Sequence, residues 1–319
     1  MENKNRTRRN RRKGKKSIFK KILISFLVIA ILIVGAGVTV AWKVYSDVES
    51  STKEMYTESN HEQKRVEPVA VDKGEEPFSV LLMGIDTGDL GRDYQGRSDT
   101  MMVMTINPNT ESTTIVSIPR DTYTEIIGRG TMDKINHAYA FGGTDMALNT
   151  VQNLFDIPID YFVSVNMEGL QQIIDAVGGV DLTPQKTFNQ GGYSFVEGQP
   201  MHMDGNMALE YSRMRKIDSD YGRQERQRQV VETTIKKMAS IESIVNYQGV
   251  LNSLSNNMQT NMSFDDMVDA FTKYNSAVSS VSQEQLSGTG RKQGGVYYEF
   301  IPEEEVQRIS DLLKSELEL

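Results

Sequence analysis

Residues 100–118 read TMMVMTINPNTESTTIVSI. Two apolar runs, 100–106 and 113–118, flank the turn signal Asn107-Pro108-Asn109. Short apolar runs joined by turn chemistry predict a hairpin of two strands. Upstream, the apolar run 78–83 stops at Gly84 and reads as a third, buried strand. Downstream the period changes. Thr144 can cap a helix running to Phe155, 161–165 reads as a strand, and 168–177 is helical up to Gly178-Gly179. A longer helix is expected from about Tyr221 to Ser240. Ser263 with Asp266 resembles a capping box for a helix to about Val278. A late strand at 296–301 and an amphipathic helix at 303–317 close the chain. Segments 252–261 and 276–291 are polar and read as loop-rich or mobile. Strands alternating with helices predict an α/β domain around a largely buried central sheet.

The start of the chain has another character. Residues 1–43 hold twelve Lys and Arg against the single acid Glu2, while the whole chain carries −8, leaving −19 on the remainder. Residues 22–42 form an uncharged apolar run, about 32 Å long as a helix, which matches a bilayer's hydrocarbon thickness. Eleven basic residues precede it, so the positive-inside rule predicts a cytoplasmic tail (1–21), a transmembrane helix (22–42) and export of everything beyond. The run exceeds the ~7–15 residues of a signal-peptide core, and no clear A-x-A site follows it. Residues 43–76 are polar and charged and are expected to form a stalk, with the folded domain at 77–319. There is no cysteine, which excludes disulfides, thiolate metal sites and cysteine nucleophiles.

P-loop, G-x-G-x-x-G, H-E-x-x-H and G-x-S-x-G signatures are all missing. What recurs is arginine beside carboxylate at the ends of apolar strands. Asp86 ends one strand. Arg97-Ser98-Asp99 precedes the next, Arg120-Asp121 follows another, and Lys134-Ile135-Asn136-His137 opens a helix. The densest stretch runs from Arg213 through Arg215, Asp218, Asp220, Arg223, Arg226 and Gln227 to Arg228. Guanidinium forks match phosphate oxygens, and ligands of open α/β sheets collect where strands end. Carboxylates near phosphate hold Mg²⁺. The pattern points to a phosphate or pyrophosphate site with a divalent cation. Arg213 and Arg215 would share a face of an extended segment, and Arg223, Arg226 and Gln227 one side of a helix. Surface ion pairing is the competing reading.

These residues also carry a resemblance. Arg97-Ser98-Asp99-Thr100-Met101, Ile118-Pro119-Arg120-Asp121, Lys134-Ile135-Asn136, Tyr211-Ser212-Arg213-Met214-Arg215 and Asp220-Tyr221-Gly222-Arg223-Gln224-Glu225-Arg226-Gln227 stand in the order found in the LytR-CpsA-Psr family of Gram-positive envelope proteins. Residues 166–170 and 177–180 fit as well. Arg228 departs from the pattern, since the family often has a second Gln there. The resemblance implies a mixed central sheet flanked by helices, an apolar pocket for a polyprenyl tail, and bound Mg²⁺, with Mn²⁺ as the alternative. It implies a phosphotransferase that moves an anionic glycopolymer, of wall teichoic acid or capsular polysaccharide type, from an undecaprenyl pyrophosphate carrier to peptidoglycan.

On this reading Arg97, Arg120, Lys134, Arg213, Arg215, Arg223, Arg226 and Gln227 hold the pyrophosphate. Asp86 and Asp99 hold the metal, and Asp121 or Asp220 is the base. Two rivals are a polyprenyl pyrophosphate hydrolase, with water as acceptor, and a non-catalytic envelope regulator or polymer binder. The short basic tail is better explained by topology and anionic lipid than by DNA, so no nucleic-acid partner is expected.

Overall fold

The computed structural model describes residues 54–86, 96–239 and 257–319. The expected tail 1–21 and membrane span 22–42 lie outside them. Residues 51–319 form one compact unit. Strands β1 (Phe78–Ile85), β2 (Ser98–Asn107) and β3 (Ser112–Ile118) follow one another as an antiparallel meander. The hairpin β4 (Tyr123–Ile126) and β5 (Thr131–Lys134) leads into α1 (His137–Phe155). Next come β6 (Tyr161–Asn166) and α2 (Met167–Ala176), whose first turn is capped by the Asn166 side chain accepting from the Gly169 amide at 2.7 Å. Four short strands follow: β7 (Val180–Leu182), β8 (Phe188–Gln190), β9 (Tyr193–Phe195) and β10 (Met201–Met203). Helices α3 (Gly205–Arg213) and α4 (Asp220–Met238) succeed them. The chain ends with β11 (Met258–Thr260), α5 (Phe264–Lys273), β12 (Ser280–Gln285), β13 (Thr289–Gln293), β14 (Val296–Phe300) and α6 (Glu303–Glu316).

The central sheet has the order β11-β6-β1-β2-β3-β12 and is mixed: β6 joins β1 and β12 joins β3 in parallel, and the other pairs are antiparallel. Alternation along the strands builds two layers. Leu81, Met83, Met101, Val103, Val116 and Ile118 face α1 and α6, where Leu148, Val151, Ile309 and Leu313 complete the core. Phe78, Val80 and Ile106 face the other way, against Val71, Tyr274 and Ala277. A separate apolar cluster, with Ile174, Phe188, Phe195, Tyr211 and Val230, holds α2, α3, α4 and the short strands together.

Several elements differ from the sequence reading. The expected stalk, where described, lies on the domain. Met55 is fully buried, His61 Nε2 is hydrogen-bonded to the Ile159 carbonyl at 3.0 Å, and Arg65 pairs with Asp160 at 2.6 Å. Apart from isolated apolar anchors such as Met55 and Val71, its contacts are polar, so no apolar period announced them. Helix α1 opens at His137, as the Lys134–His137 stretch suggested, and not at a Thr144 cap; it is interrupted at Gly142-Gly143, where Gly143 has φ +66°. Residues 205–213 are helical, so Arg213 and Arg215 do not share an extended face. The helix after Ser263 does have its capping box but stops at Lys273. The supposed loop 276–291 contains β12 and the start of β13. β12 has polar composition because its pairing with β3, not an apolar face, makes it a strand.

Candidate functional site

Antiparallel order brings the end of β1, the start of β2 and the end of β3 to one edge of the sheet. There the register slips. Gly84 faces Thr100 but Ile85 faces Ser98, which leaves Asp99 as an extra residue. Such a bulge re-aims a side chain. The Asp99 carboxylate meets Arg120 at 3.1 Å and Arg215 at 3.9 Å, and accepts from Asn136 Nδ2 at 3.3 Å. Asp86 follows β1, and its Oδ1 accepts from the Arg97 amide at 2.6 Å. Pro119 ends β3. Its carbonyl accepts from both the amide and the hydroxyl of Thr122, which fixes Arg120 and Asp121 in a turn. Asp121 lies 3.7 Å from Arg120 Nε and 2.7 Å from Lys134 Nζ. The fourth contribution is the first turn of α4, where Arg223 pairs with Asp220 at 2.6 Å and Gln224 donates to the same carboxylate at 3.0 Å.

Charge is unevenly balanced in this group. Burial pulls the Arg120 pKa down, but Asp99, Asp121 and Asp220 outweigh it and the pKa is raised. Arg223, 2 % exposed, is held below its ordinary value by burial, against the pull of Asp220 and with Arg215 and Arg120 adding repulsion. Its Nε and that of Arg120 are buried without a hydrogen-bond acceptor, and so is Asn136 Oδ1 without a donor. Four cations (Arg120, Lys134, Arg215, Arg223) gather with four carboxylates (Asp86, Asp99, Asp121, Asp220). Buried guanidinium donors lacking acceptors, among clustered cations, suit a polyanion such as pyrophosphate.

Two of the remaining expected arginines are engaged by other partners. Arg213, at the end of α3, pairs with Glu210 at 3.5 Å. Arg226 is clamped by Asp218 (2.7 and 3.0 Å) and by the Met214 carbonyl at 2.6 Å. Gln227 is partly buried, with Oε1 unbonded, and Arg97 is exposed. Arg228 is buried and donates to Gln283 and Gln285 of β12. Glu299 was missed by the sequence reading. Buried at the end of β14, it accepts from Tyr221 at 2.7 Å and Tyr297 at 2.9 Å, and its amide donates to the Asp121 carbonyl at 2.8 Å. A lone acid in an aromatic strand was the available signal.

No cluster of three or more acidic or histidine side chains able to hold a metal occurs among the described residues. Mg²⁺ typically takes only one or two carboxylates beside substrate phosphates. Asp86 and Asp99 suit that pattern, and the orphaned Asn136 Oδ1 beside Asp99 is a further hard oxygen donor.

The model of the LytR_cpsA_psr family matches residues 41–315. The chain belongs to this family. A polyisoprenyl-teichoic acid–peptidoglycan teichoic acid transferase, TagU of Enterococcus faecalis, is 47 % identical over 314 residues, covering 96 % of this chain and 98 % of the relative. The crystal structure of Bacillus subtilis TagU superposes with a TM-score of 0.62 at 45 % identity, covering 77 % of this chain and 98 % of that one. A structure of TagT bound to LIIa-WTA gives a TM-score of 0.69 at 31 % identity, over 81 % and 97 %. The LytR_cpsA_psr match begins at residue 41, ahead of the expected domain start at Pro77 and of the packed segment from residue 54 onward.

Proposed function

We propose that this LytR_cpsA_psr protein transfers an anionic glycopolymer, of wall teichoic acid type, from a polyisoprenyl pyrophosphate carrier such as undecaprenyl pyrophosphate to peptidoglycan. The observation that carries the reading is Arg223, buried beside Arg120 and Arg215 with Asp220 as its close carboxylate partner and its Nε without an acceptor. The donor pyrophosphate takes the place of carboxylate partners on Arg120, Arg215 and Arg223, with Lys134 adjacent. Asp220 is the base. Its carboxylate is 36 % exposed against 19 % for Asp121, so an acceptor hydroxyl reaches it more readily. The hydroxyl oxygen forms a bond to the polymer-linked phosphorus, its proton passes to Asp220, and the bond to polyprenyl phosphate breaks. The guanidinium donors neutralise the charge spread over the transferring phosphoryl oxygens. Bound Mg²⁺ at Asp86 and Asp99 would supply further charge neutralisation.

The polyprenyl tail is assigned to the apolar layer between β1–β3 and α1. That layer is closed here, with Leu81, Val103 and Val116 fully buried, so admitting a tail requires α1 to shift. The break at Gly142-Gly143 supplies the hinge. The chain is held in the cell membrane by residues 22–42, with the tail 1–21 inside and the catalytic unit outside. The test is purified full-length protein given lipid-linked polymer with and without peptidoglycan fragments. Polymer–peptidoglycan conjugate and acceptor-dependent release of polyprenyl phosphate are expected. Release of free polymer at the same rate without acceptor would replace the transferase by a hydrolase.

A further inference from the structure

Glu299, near the end of β14, is 6 % exposed. One carboxylate oxygen accepts from the Tyr221 hydroxyl at 2.7 Å and the other from the Tyr297 hydroxyl at 2.9 Å. Both oxygens are thus occupied by neutral donors, and the acid is closed to a substrate hydroxyl. Its connections, however, run to both halves of the arginine crevice. Its amide donates to the Asp121 carbonyl at 2.8 Å, and Glu299 forms an isolated parallel bridge with Thr122. The main chain of Glu299 thereby holds the turn that carries Arg120 and Asp121. Its side chain holds Tyr221, which lies between Asp220 and Arg223 in the first turn of α4. Tyr221 is fixed a second time, because its hydroxyl accepts from the Gly288 amide at 2.8 Å. Tyr297 steadies the carboxylate from its other oxygen. It lies across Gly290, where any Cβ would collide with its hydroxyl.

The turn and the helix start are far apart in sequence but face each other. Asp220 is among the carboxylates that raise the Arg120 pKa, and Arg120 is among the cations that lower that of Arg223. Among the described residues, no backbone hydrogen bond joins the two segments directly, and Glu299 spans them. We propose that Glu299 is a positioning residue: its side-chain length sets the distance between Arg120–Asp121 and Asp220–Arg223, and with it the alignment of base and pyrophosphate donors. This rests on the transferase reading and extends it to a residue that touches no substrate.

The test is steady-state transfer by full-length protein in detergent micelles, with lipid-linked polymer and peptidoglycan fragments as substrates. Glu299→Gln keeps the length and offers its amide oxygen to Tyr221, but loses the charge. Glu299→Asp keeps the charge but is shorter by a methylene. A displacement of about 1 Å can cost roughly 100-fold in rate, so Glu299→Asp should lower kcat by about that factor, while Glu299→Gln stays within about threefold of the parent. KM for the lipid-linked polymer should move less than kcat in Glu299→Asp, because Lys134 and Arg215 are held by Asp121 and Asp99 and not through Tyr221. Tyr221→Phe lacks the hydroxyl and should resemble Glu299→Asp; it replaces that variant if Glu299→Asp melts below the assay temperature. Thermal melts give the folded fraction of each. A kcat per folded molecule equal to the parent's in Glu299→Asp and Tyr221→Phe would leave Glu299 only a stability role and overturn the proposal. So would a Glu299→Gln variant as slow as Glu299→Asp or slower, which would make charge the property that matters. Failure of the transferase reading shows separately in the parent protein, as polymer release that ignores the acceptor, and the order of the variants is then read on that release.

Discussion

Arg223 and Arg226 sit three positions apart on one helix and have opposite duties. Arg223 pairs with the half-exposed Asp220 while buried beside the like charges of Arg120 and Arg215, at a net cost to its charged form, and Arg226 is buried against a carboxylate that holds it in a fork. Arg223→Ala should therefore leave the melting temperature unchanged or raise it. Transfer should drop by one to two orders of magnitude, given about 1.5–3 kcal/mol for each charge-assisted hydrogen bond. Arg120→Ala should lose activity similarly but also melt earlier, because Asp99 and Asp121 lose the cation that their charges stabilise. Parallel melts and transfer assays of the two variants check this contrast. Asp218 behaves as a structural acid. Its hydrogen bonds to Arg226 hold its pKa below 3.8 despite the opposing effect of burial. A carboxyl with a depressed folded pKa contributes stability above its unfolded pKa and loses it as the pH falls through the folded value. Asp218→Ala should cost about 3–5 kcal/mol at neutral pH, by stranding a buried guanidinium. It should also flatten the acid limb of stability below about pH 4, as read by denaturant titration across pH. Residue types alone made the cluster legible, since arginine next to aspartate at a strand end is visible in one dimension. Which arginines face the crevice was not, because that depends on Arg213 closing a nine-residue helix whose apolar positions, Met207, Ala208, Leu209 and Tyr211, span too short a stretch to declare a period.

At the level of elements, the cluster depends on how α4 is tethered. Its first turn is bound to β14 through Tyr221 and Glu299, while Arg228 ties its middle to β12. Burial and the Glu299 carboxylate both raise the Tyr221 pKa, so the phenol stays protonated and donates. Tyr221→Phe removes one of the two donors to a buried acid. It should cost about 1–3 kcal/mol, visible in urea titration, and should slow transfer by loosening Asp220 and Arg223 next to it. The bulge at Asp99 was illegible for a different reason. The sequence reading begins the strand at Thr100, leaving Asp99 just before it, and the extra residue exists only relative to the partner strand β1. The same holds for β12, whose Ser280–Gln285 sequence contains one apolar residue, Val281. The meander β1–β3, by contrast, was readable because alternating burial on both faces leaves near-continuous apolar runs.

Considered whole, the molecule begins its compact unit at residue 51 rather than at Pro77. An exported fragment starting at residue 77 should therefore melt well below one starting at residue 51, because it lacks the buried Met55, the His61–Ile159 hydrogen bond and the Arg65–Asp160 pair. Equal melting temperatures would return residues 54–76 to the role of a spacer. Protease added to intact protoplasts should digest the chain beyond residue 42, and protection would refute the proposed topology. One feature of the sheet also bears on how the protein is made. The β3 edge is completed by β12 in parallel, from Ser112↔Ser280 to Ser117↔Gln285. A chain threaded outward from its amino end presents the finished meander long before residues 280–285 follow. Throughout that interval the backbone donors and acceptors of β3 stand open as a template for any other extended chain. Under the proposed export, late closure of the central sheet leaves that edge open to pairing with other chains on the far side of the membrane. Substitutions in β12 that weaken its pairing with β3 should therefore favour aggregation.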